Sequence, residues 1–542
     1  MATNFANLRF YRWLSSLVLV LIAGCDSQGT ASLSENSVIY CSEGTPAILN
    51  PQLETSGVTI DATAKQLYNQ LIAFDPKDNS IAPSLAKSWH VTKDNKKITF
   101  YLRQNVFFHQ TEYFTPTRPL NADDVLFSFN RILDRTQVFH YVSGGKYPFF
   151  QSVGFAELIE SIERINDHTI RFTLKRADSS FLANLATDFA VILSKEYGEQ
   201  LIKTNELEKL DTQPIGTGPF KLKEYRAGSY LRLMPHDNYW ATPSSLKQLI
   251  YDITPSNTGR LTKLLAGECD VIAYPIAHQK ITENPLLTLE SVTAMNIGYL
   301  GFNTTKPPFN DKRVRRAIAH AINKPAILNT IYKGDSAAEP AVSILPPSSW
   351  AYNDNVDTID YSIDKAKDLL EQAGIGSDLT LNLWAMPVQR SYNPDAVTMA
   401  KLIQADLKKV GISVKIVTYN WQEFLRRLAL GEHDAVLLGW SADHPDPDNF
   451  FSPLLSCASA ETGNNRTFWC NETFDDLLQS SLDTTDMNAR REYYRQALNI
   501  VADEMPLFPI AHSKRFQAKK HNLKGNILRS YGGISFEGVE KH

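Results

Sequence analysis

Cysteine and long apolar segments are both scarce in this chain. Only 5 of its 542 residues are cysteine, and beyond residue 24 no run reaches the 18 consecutive apolar residues that indicate a membrane-spanning helix. An excess of one charge is missing too, because 55 basic side chains face 59 acidic ones and leave a net charge of −4. A mildly acidic chain has no bulk attraction for nucleic acid or anionic lipid, so we expect no nucleic-acid partner.

Signatures of several enzyme and metal-binding classes are also absent. No P-loop and no HExxH motif occurs, and Gly216-Thr217-Gly218 lacks the third glycine of a dinucleotide-binding fingerprint. Ser84-Leu85-Ala86-Lys87 matches the SxxK of serine acyl enzymes, but no SDN or KTG partner accompanies it. The aspartates at 443, 446 and 448 lack the glycine and the final glutamate of a calcium-binding EF-hand loop. We therefore expect no catalytic residue, no cofactor and no metal ion.

What the chain does contain is the composition of a globular protein with more than one domain. Hydrophobic residues make up 43% of it, charged residues 21% and aromatic residues 11%. These fractions exclude disorder, collagen and coiled coil as the main class. At roughly 100–200 residues per domain, a chain of 542 residues forms more than one folding unit.

The first 25 residues have the features of a secretory signal. Arg9 and Arg12 precede a short apolar run, and small residues follow it. The ending Leu21-Ile22-Ala23-Gly24-Cys25 resembles a bacterial lipobox. That resemblance implies that residues 1–24 are removed as a signal peptide and that Cys25 carries a lipid. The alternative is an ordinary signal with a chance cysteine.

Residues 25–37 would then be the lipidated N-terminus and a polar tether to the membrane. They are rich in Ser, Gly, Thr, Asn and Gln, the composition of a linker. Asp26 resembles a signal that retains lipoproteins in the inner membrane. The alternative is that Asp26 is only the first residue of the tether. We expect the protein on the periplasmic side of the cell membrane, with the inner membrane favoured.

The four other cysteines, at 41, 269, 457 and 470, predict two disulfides, because a secreted chain enters an oxidising compartment. Four cysteines allow three pairings. The short-range pair Cys457–Cys470 is the simplest, and it leaves Cys41 with Cys269. A structural zinc site is the alternative, but no CxxC spacing supports it.

Residues 378–440 show the clearest periodicity. Alternating apolar residues predict strands near 379–385 and 412–416, and the apolar run 435–438 predicts a buried third strand. Between them, Asn393-Pro394 predicts the start of a helix that ends at Gly411, and a second helix runs from Trp421 to Gly431. This β-α-β-α-β order predicts parallel strands with right-handed crossovers.

That order places two loops at the same edge of the sheet, where ligands of open parallel sheets bind. The first loop, 386–392, contains Arg390, and the second, 439–446, contains Trp440 and Asp443. One loop offers a cation and the other a cluster of carboxylates, so a zwitterion with separated ends is the expected ligand. The alternative is that Arg390 and Asp443 are solvated loop charges or pair with each other.

Four further elements are predicted from local patterns. Alternation predicts strands at 98–102 and 170–174. Asn121, followed by Asp123 and Asp124, predicts a capped helix start. Mixed basic and apolar faces predict one helix over 313–328, interrupted only briefly at Pro325.

Long ordered motifs along the mature chain resemble the family 5 solute-binding proteins of ABC transporters, with the dipeptide-binding branch the most similar. The likeness covers about residues 38–540. The motifs are Tyr40-Cys41-Ser42-Glu43-Gly44, Pro116-Thr117-Arg118, Leu120-Asn121-Ala122-Asp123-Asp124-Val125, Pro214-Ile215-Gly216-Thr217-Gly218-Pro219-Phe220, Trp384-Ala385-Met386-Pro387-Val388-Gln389-Arg390 and Asp446-Pro447-Asp448-Asn449-Phe450-Phe451.

The resemblance implies an α/β fold of the two-lobed periplasmic binding protein type (type II, family 5), with a hinge between lobes that close on the ligand. Lobe one would comprise residues 38–295 plus 514–542, and lobe two residues 296–513. The crossings would lie near Met295 and Ser513. The resemblance also implies the disulfide pairs Cys41–Cys269 and Cys457–Cys470.

Site residues follow from the same resemblance. Asp443 would pair with the α-amino group of a peptide and Arg390 with its α-carboxylate. Three residues of the second loop would bond the peptide backbone, and three of lobe one would line the facing wall: Gly439, Trp440, Ser441, Thr55, Ser56 and Gly57. The segment Ser441-Ala442-Asp443-His444-Pro445 is poorer in glycine than the branch's form, which puts the shape of the amino-end pocket in doubt.

The implied function is the substrate-binding lipoprotein of an ABC importer that delivers di- or small peptides to an inner-membrane permease, acting as a monomer with permease and ATPase partners. Relatives bind glutathione, murein tripeptide, haem or nickel, so the first three stay as alternative ligands of the same receptor. A periplasmic serine hydrolase using Ser84 or Ser441 is the alternative from another class, but neither serine has a positioned base beside it in the sequence.

Overall fold

The computed structural model describes residues 36–333, 337–376, 379–462 and 464–542. The predicted signal peptide, the lipid on Cys25 and nearly all of the tether lie outside these residues. Within them, no helix is both long and apolar enough to cross a membrane.

Strands and helices alternate through the first half of the described chain. In chain order they are β1 (Ser37–Ser42), α1 (Gly57–Leu67), β2 (Ile72–Phe74), β3 (Ile81–Pro83), β4 (Ala86–Val91), β5 (Lys97–Leu102), α2 (Ala122–Leu133), α3 (Pro148–Ser152), α4 (Phe155–Leu158), β6 (Ile159–Asn166), β7 (Thr169–Leu174), α5 (Phe181–Leu185), α6 (Lys195–Thr204), α7 (Lys209–Thr212), β8 (Phe220–Arg226), β9 (Tyr230–Pro235), β10 (Gln248–Ile253), α8 (Asn257–Leu265), β11 (Val271–Ala273), α9 (His278–Thr282) and β12 (Leu287–Thr293).

The second half continues in the same manner. It contains β13 (Asn296–Phe302), α10 (Lys312–Ala321), α11 (Lys324–Ile331), β14 (Ala338–Pro340), α12 (Ile363–Gln372), β15 (Thr380–Ala385), α13 (Ala396–Lys408), β16 (Ser413–Val417), α14 (Trp421–Ala429), β17 (Ala435–Ser441), α15 (Asp448–Leu455), α16 (Cys457–Thr462), α17 (Glu472–Asp483), α18 (Met487–Glu504), β18 (Leu507–Lys520), β19 (Leu523–Lys524) and β20 (Glu540–Lys541).

Two hydrophobic cores organise these elements. The first draws its buried residues from 38–273 and 523–539, and the second from 295–511. A small third cluster surrounds Cys41 and Cys269. We use lobe one and lobe two for the elements around the first and second core. Lobe one also carries a four-stranded sheet of order β4-β5-β7-β6.

A twelve-stranded sheet runs through both lobes in the order β16-β15-β17-β13-β18-β11-β1-β10-β9-β8, with β12 and β14 also on β18. The long strand β18 is shared. Its first half pairs with β13, as in Gly298 opposite Ala511, and its second half pairs with β12, as in Thr293 opposite Lys514. The partner change thus falls between Ala511 and Lys514. There Asn296 accepts a hydrogen bond from the backbone N–H of Ser513 at 2.9 Å.

The predicted β-α-β-α-β unit is confirmed: β15 lies between β16 and β17 and is parallel to both. The predicted helix start at Pro394 is wrong by two residues. The backbone of Arg390 and Asn393 exchanges two hydrogen bonds of 3.1 Å, which keeps this segment in a turn. Asp395 then caps α13 by accepting from the N–H of Thr398 at 2.9 Å.

The strands predicted at 98–102 and 170–174 are β5 and β7, and Asn121 caps α2 in a capping box with Asp124. The single helix predicted over 313–328 is wrong. Two helices, α10 and α11, are separated at Ile322 and Asn323. Asn323 caps the second one, and Pro325 lies in its first turn, where its missing N–H costs nothing.

Both disulfides are formed as expected. Cys41 and Cys269, with Cα atoms 5.9 Å apart, join β1 to the segment before β11. Cys457 and Cys470, with Cα atoms 4.5 Å apart, close a short loop in lobe two. The first bridge therefore ties the start of the described chain to a strand far along the sequence.

Candidate functional site

Arg390 and Asp443 follow neighbouring parallel strands. The strand β15 ends at Ala385 and β17 at Ser441, and Ala385 pairs with Leu437. Because the carboxyl ends of parallel strands share an edge, the two loops leave the same side of lobe two, as the sequence predicts. Among the described residues neither side chain has an ion-pair partner, so the two do not pair with each other.

The Arg390 guanidinium is half-buried and donates only to its neighbour's carbonyl, Gln389 O, at 2.8 Å. It lies 5.9 Å from the centroid of the Trp421 ring. Burial opposes its charge, but Tyr274, Tyr392 and Glu43 raise the pKa of Arg390 above its ordinary value. The side chain is thus a cation that faces groups of lobe one and has no carboxylate partner among the described residues.

Asp443 is also half-buried. Its backbone N–H donates to Asn449 Oδ1 at 2.9 Å, and the same oxygen accepts from the Trp440 indole at 3.1 Å. Burial raises the pKa of Asp443 to about 7; a hydrogen bond with Asn449 lowers it, and nearby Asp188 raises it. A cation placed beside this carboxylate would relieve the cost of its charge.

The backbone between these two side chains has one open edge. The strand β17 pairs with β13 as far as Ser441, which lies opposite Asn296. On its other side β15 reaches only to Leu437. Among the described residues, the edge of 438–441 that faces away from β13 therefore has no strand neighbour. A peptide backbone can add to such an edge.

The predicted residues at this edge differ in what they expose. Ser441 is exposed and Trp440 half-exposed. Gly439 is covered on one face by the ring of Tyr392, which lies where a Cβ would stand. Only glycine fits beneath that ring, so the residue type at 439 is fixed by packing as well as by any ligand.

Thr55, Ser56 and Gly57 form the exposed N-terminus of α1. Ser56 caps the helix, and the N–H groups of Thr55 and Ser56 both donate to Glu54 Oε1, at 2.8 and 2.9 Å. Nothing lies within 4 Å of the position of a Gly57 Cβ. This terminus is open, although Glu54 already occupies two of its donors.

Lobe one contributes carboxylates that the sequence analysis missed. Asp61, one turn after Gly57, accepts from Ile534 N at 2.9 Å, and burial raises its pKa to about 7. Asp188 accepts from Gly533 N at 2.7 Å and lies 3.0 Å from Lys65 Nζ. These contacts join segments hundreds of residues apart, so no local pattern marks them.

The two lobes touch around the site. His444 Nε2 lies 3.1 Å from Asn184 Oδ1, and the N–H of Gly532 donates to Ala442 O at 3.1 Å. Further from the site, Ser179 N donates to Leu482 O at 2.8 Å. The two lobes are therefore in direct contact beside Asp443.

Among the described residues, the side chains named for a hydrolase or for a calcium site are not arranged for either role. Ser84 lies in a bend before β4 rather than on a helix, and Lys87 is exposed on that strand. Asp446 is bound by Arg490 at 2.9 Å. Over the described ranges, no group of three or more His, Cys, Asp or Glu side chains is arranged to hold a metal ion.

Comparisons with known proteins identify a family. The family model described as bacterial extracellular solute-binding proteins, family 5 Middle, matches residues 80–462. A dipeptide-binding protein of Escherichia coli (strain K12) is 44% identical over 513 residues, covering 94% of this chain and 95% of that protein. Heme-binding protein A of Haemophilus influenzae is 39% identical over 538 residues, covering 97% and 98%.

Comparison with solved structures likewise finds peptide-binding proteins. A dipeptide binding protein from Pseudoalteromonas sp. SM9913, in complex with Met-Leu, is 46% identical, with a TM-score of 0.89 and coverage of 93% of this chain and 100% of that one. The periplasmic binding protein DppA from Helicobacter pylori, in complex with the peptide STSA, is 32% identical, with a TM-score of 0.86 and coverage of 93% and 98%.

Proposed function

The chain belongs to the bacterial extracellular solute-binding proteins of family 5, which are binding proteins and not enzymes, and we propose that it captures dipeptides or other small peptides for an ABC importer. The observation that carries the proposal is the pair of unpaired opposite charges, Arg390 and Asp443, at neighbouring strand ends. The bound dipeptide and peptide of two related structures support the ligand class.

In the proposed complex, the peptide's α-ammonium pairs with Asp443 and its α-carboxylate with Arg390. The termini of an extended dipeptide lie about 5–7 Å apart, given roughly 3.4 Å per residue. The backbone of the peptide bonds the open edge at Gly439, Trp440 and Ser441. The N-terminus of α1, with Thr55, Ser56 and Gly57, closes over it from lobe one.

Closure requires a hinge, which we place where β18 changes partners. Lobe one would then comprise 38–295 plus 514–542 and lobe two 296–513, with crossings at Met295 and Ser513. Two lobes with two crossings move as rigid bodies, and ligand favours the closed form. We expect a saturating dipeptide to reduce the radius of gyration in small-angle scattering and to raise the melting temperature. Unchanged scattering at saturation would contradict the closure.

Ligand identity is tested by native mass spectrometry of the purified protein. An intact di- or tripeptide is the expected finding. Recovery of glutathione, murein tripeptide or haem would keep the receptor role and change its cargo; the related heme-binding protein A makes haem the first control to add. A cleaved product in place of intact peptide would contradict a pure binding function.

Peptide affinity should depend on pH through Asp443. Burial raises the pKa of its carboxyl to about 7 in the unliganded protein, so below pH 7 the group is protonated and neutral. Because only the carboxylate can pair with an ammonium, affinity should fall by up to about tenfold per pH unit below 7, and binding should release a proton. Calorimetry in two buffers of different ionisation enthalpy measures that proton.

The matched control is Asp448, whose pKa burial also raises to about 7 and whose carboxylate accepts from the Ser452 hydroxyl. Asp443→Asn should abolish the pH dependence between 5.5 and 7, whereas Asp448→Asn should leave it. If the slope persists in Asp443→Asn, another group carries it.

We also propose that the protein is a lipoprotein anchored through Cys25 on the periplasmic side of the inner membrane, partnered by a permease and an ATPase. Cys25→Ala should abolish incorporation of radiolabelled palmitate and either release the protein into the soluble fraction or leave the precursor uncut. Absence of label in the wild-type protein would exclude the anchor.

A further inference from the structure

Lobe one contains a cavity of about 620 Å³ that lies outside the proposed peptide site. Its wall comes entirely from lobe one: the segments 65–84, 239–240, 290–292 and 526–537. Neither Arg390 nor Asp443 belongs to it. Its volume lies within the range of small-molecule pockets.

Arg529 is the charge that defines this cavity. Its side chain is half-buried, and across the described ranges its guanidinium has no hydrogen-bond or ion-pair partner. The Nε atom is fully buried and unpaired. Burial lowers the pKa of Arg529, although Glu537 and Tyr531 nearby oppose that shift. A desolvated guanidinium without a partner is costly, so its presence points to an anion that pairs with it.

Other unused donors line the same wall. Gln70 is 5% exposed and its Nε2 has no partner, and the hydroxyl of Ser84, also 5% exposed, has none among the described residues. The two acids of the wall are already occupied. Glu290 lies 2.7 Å from Lys519 Nζ, and Glu537 accepts from the Tyr239 hydroxyl at 3.0 Å. The cavity therefore has donors to spare.

Aromatic rings form part of the wall. Phe74 and Tyr531 meet edge to face with centroids 5.5 Å apart, and Tyr239 and Trp240 lie 5.7 Å apart. Rings of this kind form flat contacts with another ring. Lys65 is paired with Asp188 and Glu290 with Lys519, whereas Arg529 and Glu537 have no ion-pair partner among the described residues. A single guanidinium suits one carboxylate better than a phosphate dianion beside two glutamates.

We propose that this cavity binds a small aromatic carboxylate, whose carboxylate pairs with Arg529 and whose ring lies against the aromatic wall. Gln70 and Ser84 donate to the second carboxylate oxygen. Such a ligand would bind lobe one alone, in the presence or absence of peptide in the cleft.

The test is calorimetry with phenylacetate on the whole protein, first saturated with dipeptide. Phenylacetate should bind, and its neutral and cationic analogues, phenylacetamide and phenethylamine, should bind at least tenfold more weakly. Arg529→Gln should weaken phenylacetate binding by about 10- to 100-fold. Arg529→Lys should retain part of the affinity, and Arg135→Gln, at an exposed arginine elsewhere in lobe one, should change nothing.

Each contrary result overturns the assignment. Equal affinity for phenylacetate and phenylacetamide would mean that Arg529 holds no anion, and this comparison needs no variant to fold. Binding of inorganic phosphate in preference to phenylacetate would give the cavity another ligand class. Unchanged dipeptide affinity in Arg529→Gln is expected, so a failure here is separate from a failure of the peptide proposal.

Discussion

Asp443→Ala is expected to weaken the binding of an unmodified dipeptide by roughly 30- to several-thousand-fold. The closed cleft removes water from the peptide's ammonium, which then has to be paired. Loss of one partner of a buried charge pair costs about 2–5 kcal/mol. Arg390→Ala should cost as much at the carboxylate end, because this arginine has no competing ion pair among the described residues and can bind a carboxylate bidentately.

Modified ligands separate the two ends. An N-acetylated dipeptide should bind the wild type weakly but lose little more in Asp443→Ala. A longer peptide tests Arg390 separately, because its carboxylate would extend beyond that residue. Asp476→Ala and Arg495→Ala, at exposed positions of lobe two, are the matched controls. If calorimetry finds Asp443→Ala and Arg390→Ala both within threefold of wild type, the ligand is not held by its termini.

Arg131→Met is expected to destabilise the protein by about 3–5 kcal/mol. Arg131 and Asp211 are both fully buried and form two parallel hydrogen bonds of 2.7 and 2.6 Å. Asn50 and Ser143 also donate to this carboxylate, at 2.8 and 2.6 Å. Removing the guanidinium leaves a buried carboxylate with two neutral donors only, and loosens α2 from α7.

Urea unfolding, with and without peptide, measures this loss. The matched control is Arg426→Met, which breaks an exposed pair with Glu423 at 2.7 Å and should lower the free energy of unfolding far less than Arg131→Met. If Arg131→Met lowers the free energy of unfolding by less than about 1 kcal/mol, the attraction within the buried pair only offsets the cost of its desolvation.

Local periodicity predicted the part of the fold that depends on neighbours in sequence. Alternation placed β15 and β16, a continuous apolar run placed β17, and the helices between them made the strands parallel. The errors arose where local hydrogen bonds compete with helix propensity. The exchange between Arg390 and Asn393 delayed the start of α13, and the cap at Asn323 divided a helix that the amphipathic pattern had predicted as one.

The residues of the candidate site also differ in whether a sequence pattern could reveal them. Arg390 and Asp443 could be found because strand order brings the ends of β15 and β17 together. Asp61 and Asp188 could not, since their positions depend on contacts with Ile534 and Gly533 at the far end of the chain. Arg529 was missed for the same reason: an unpaired charge is visible only when its surroundings are known.

The chain returns to lobe one at its C-terminal end, so lobe one acquires its last core residues after lobe two has acquired all of its own. Ile534 and Phe536 belong to the first core, where Gln66 donates to Ile534 O at 2.9 Å and Phe536 packs against Tyr40. Domains fold as units as their residues become available. The second core ends at Ala511, so the lobe whose synthesis begins first is the last to acquire its full core. Deleting the final twenty residues would therefore remove part of the core of lobe one and leave lobe two with all its core residues.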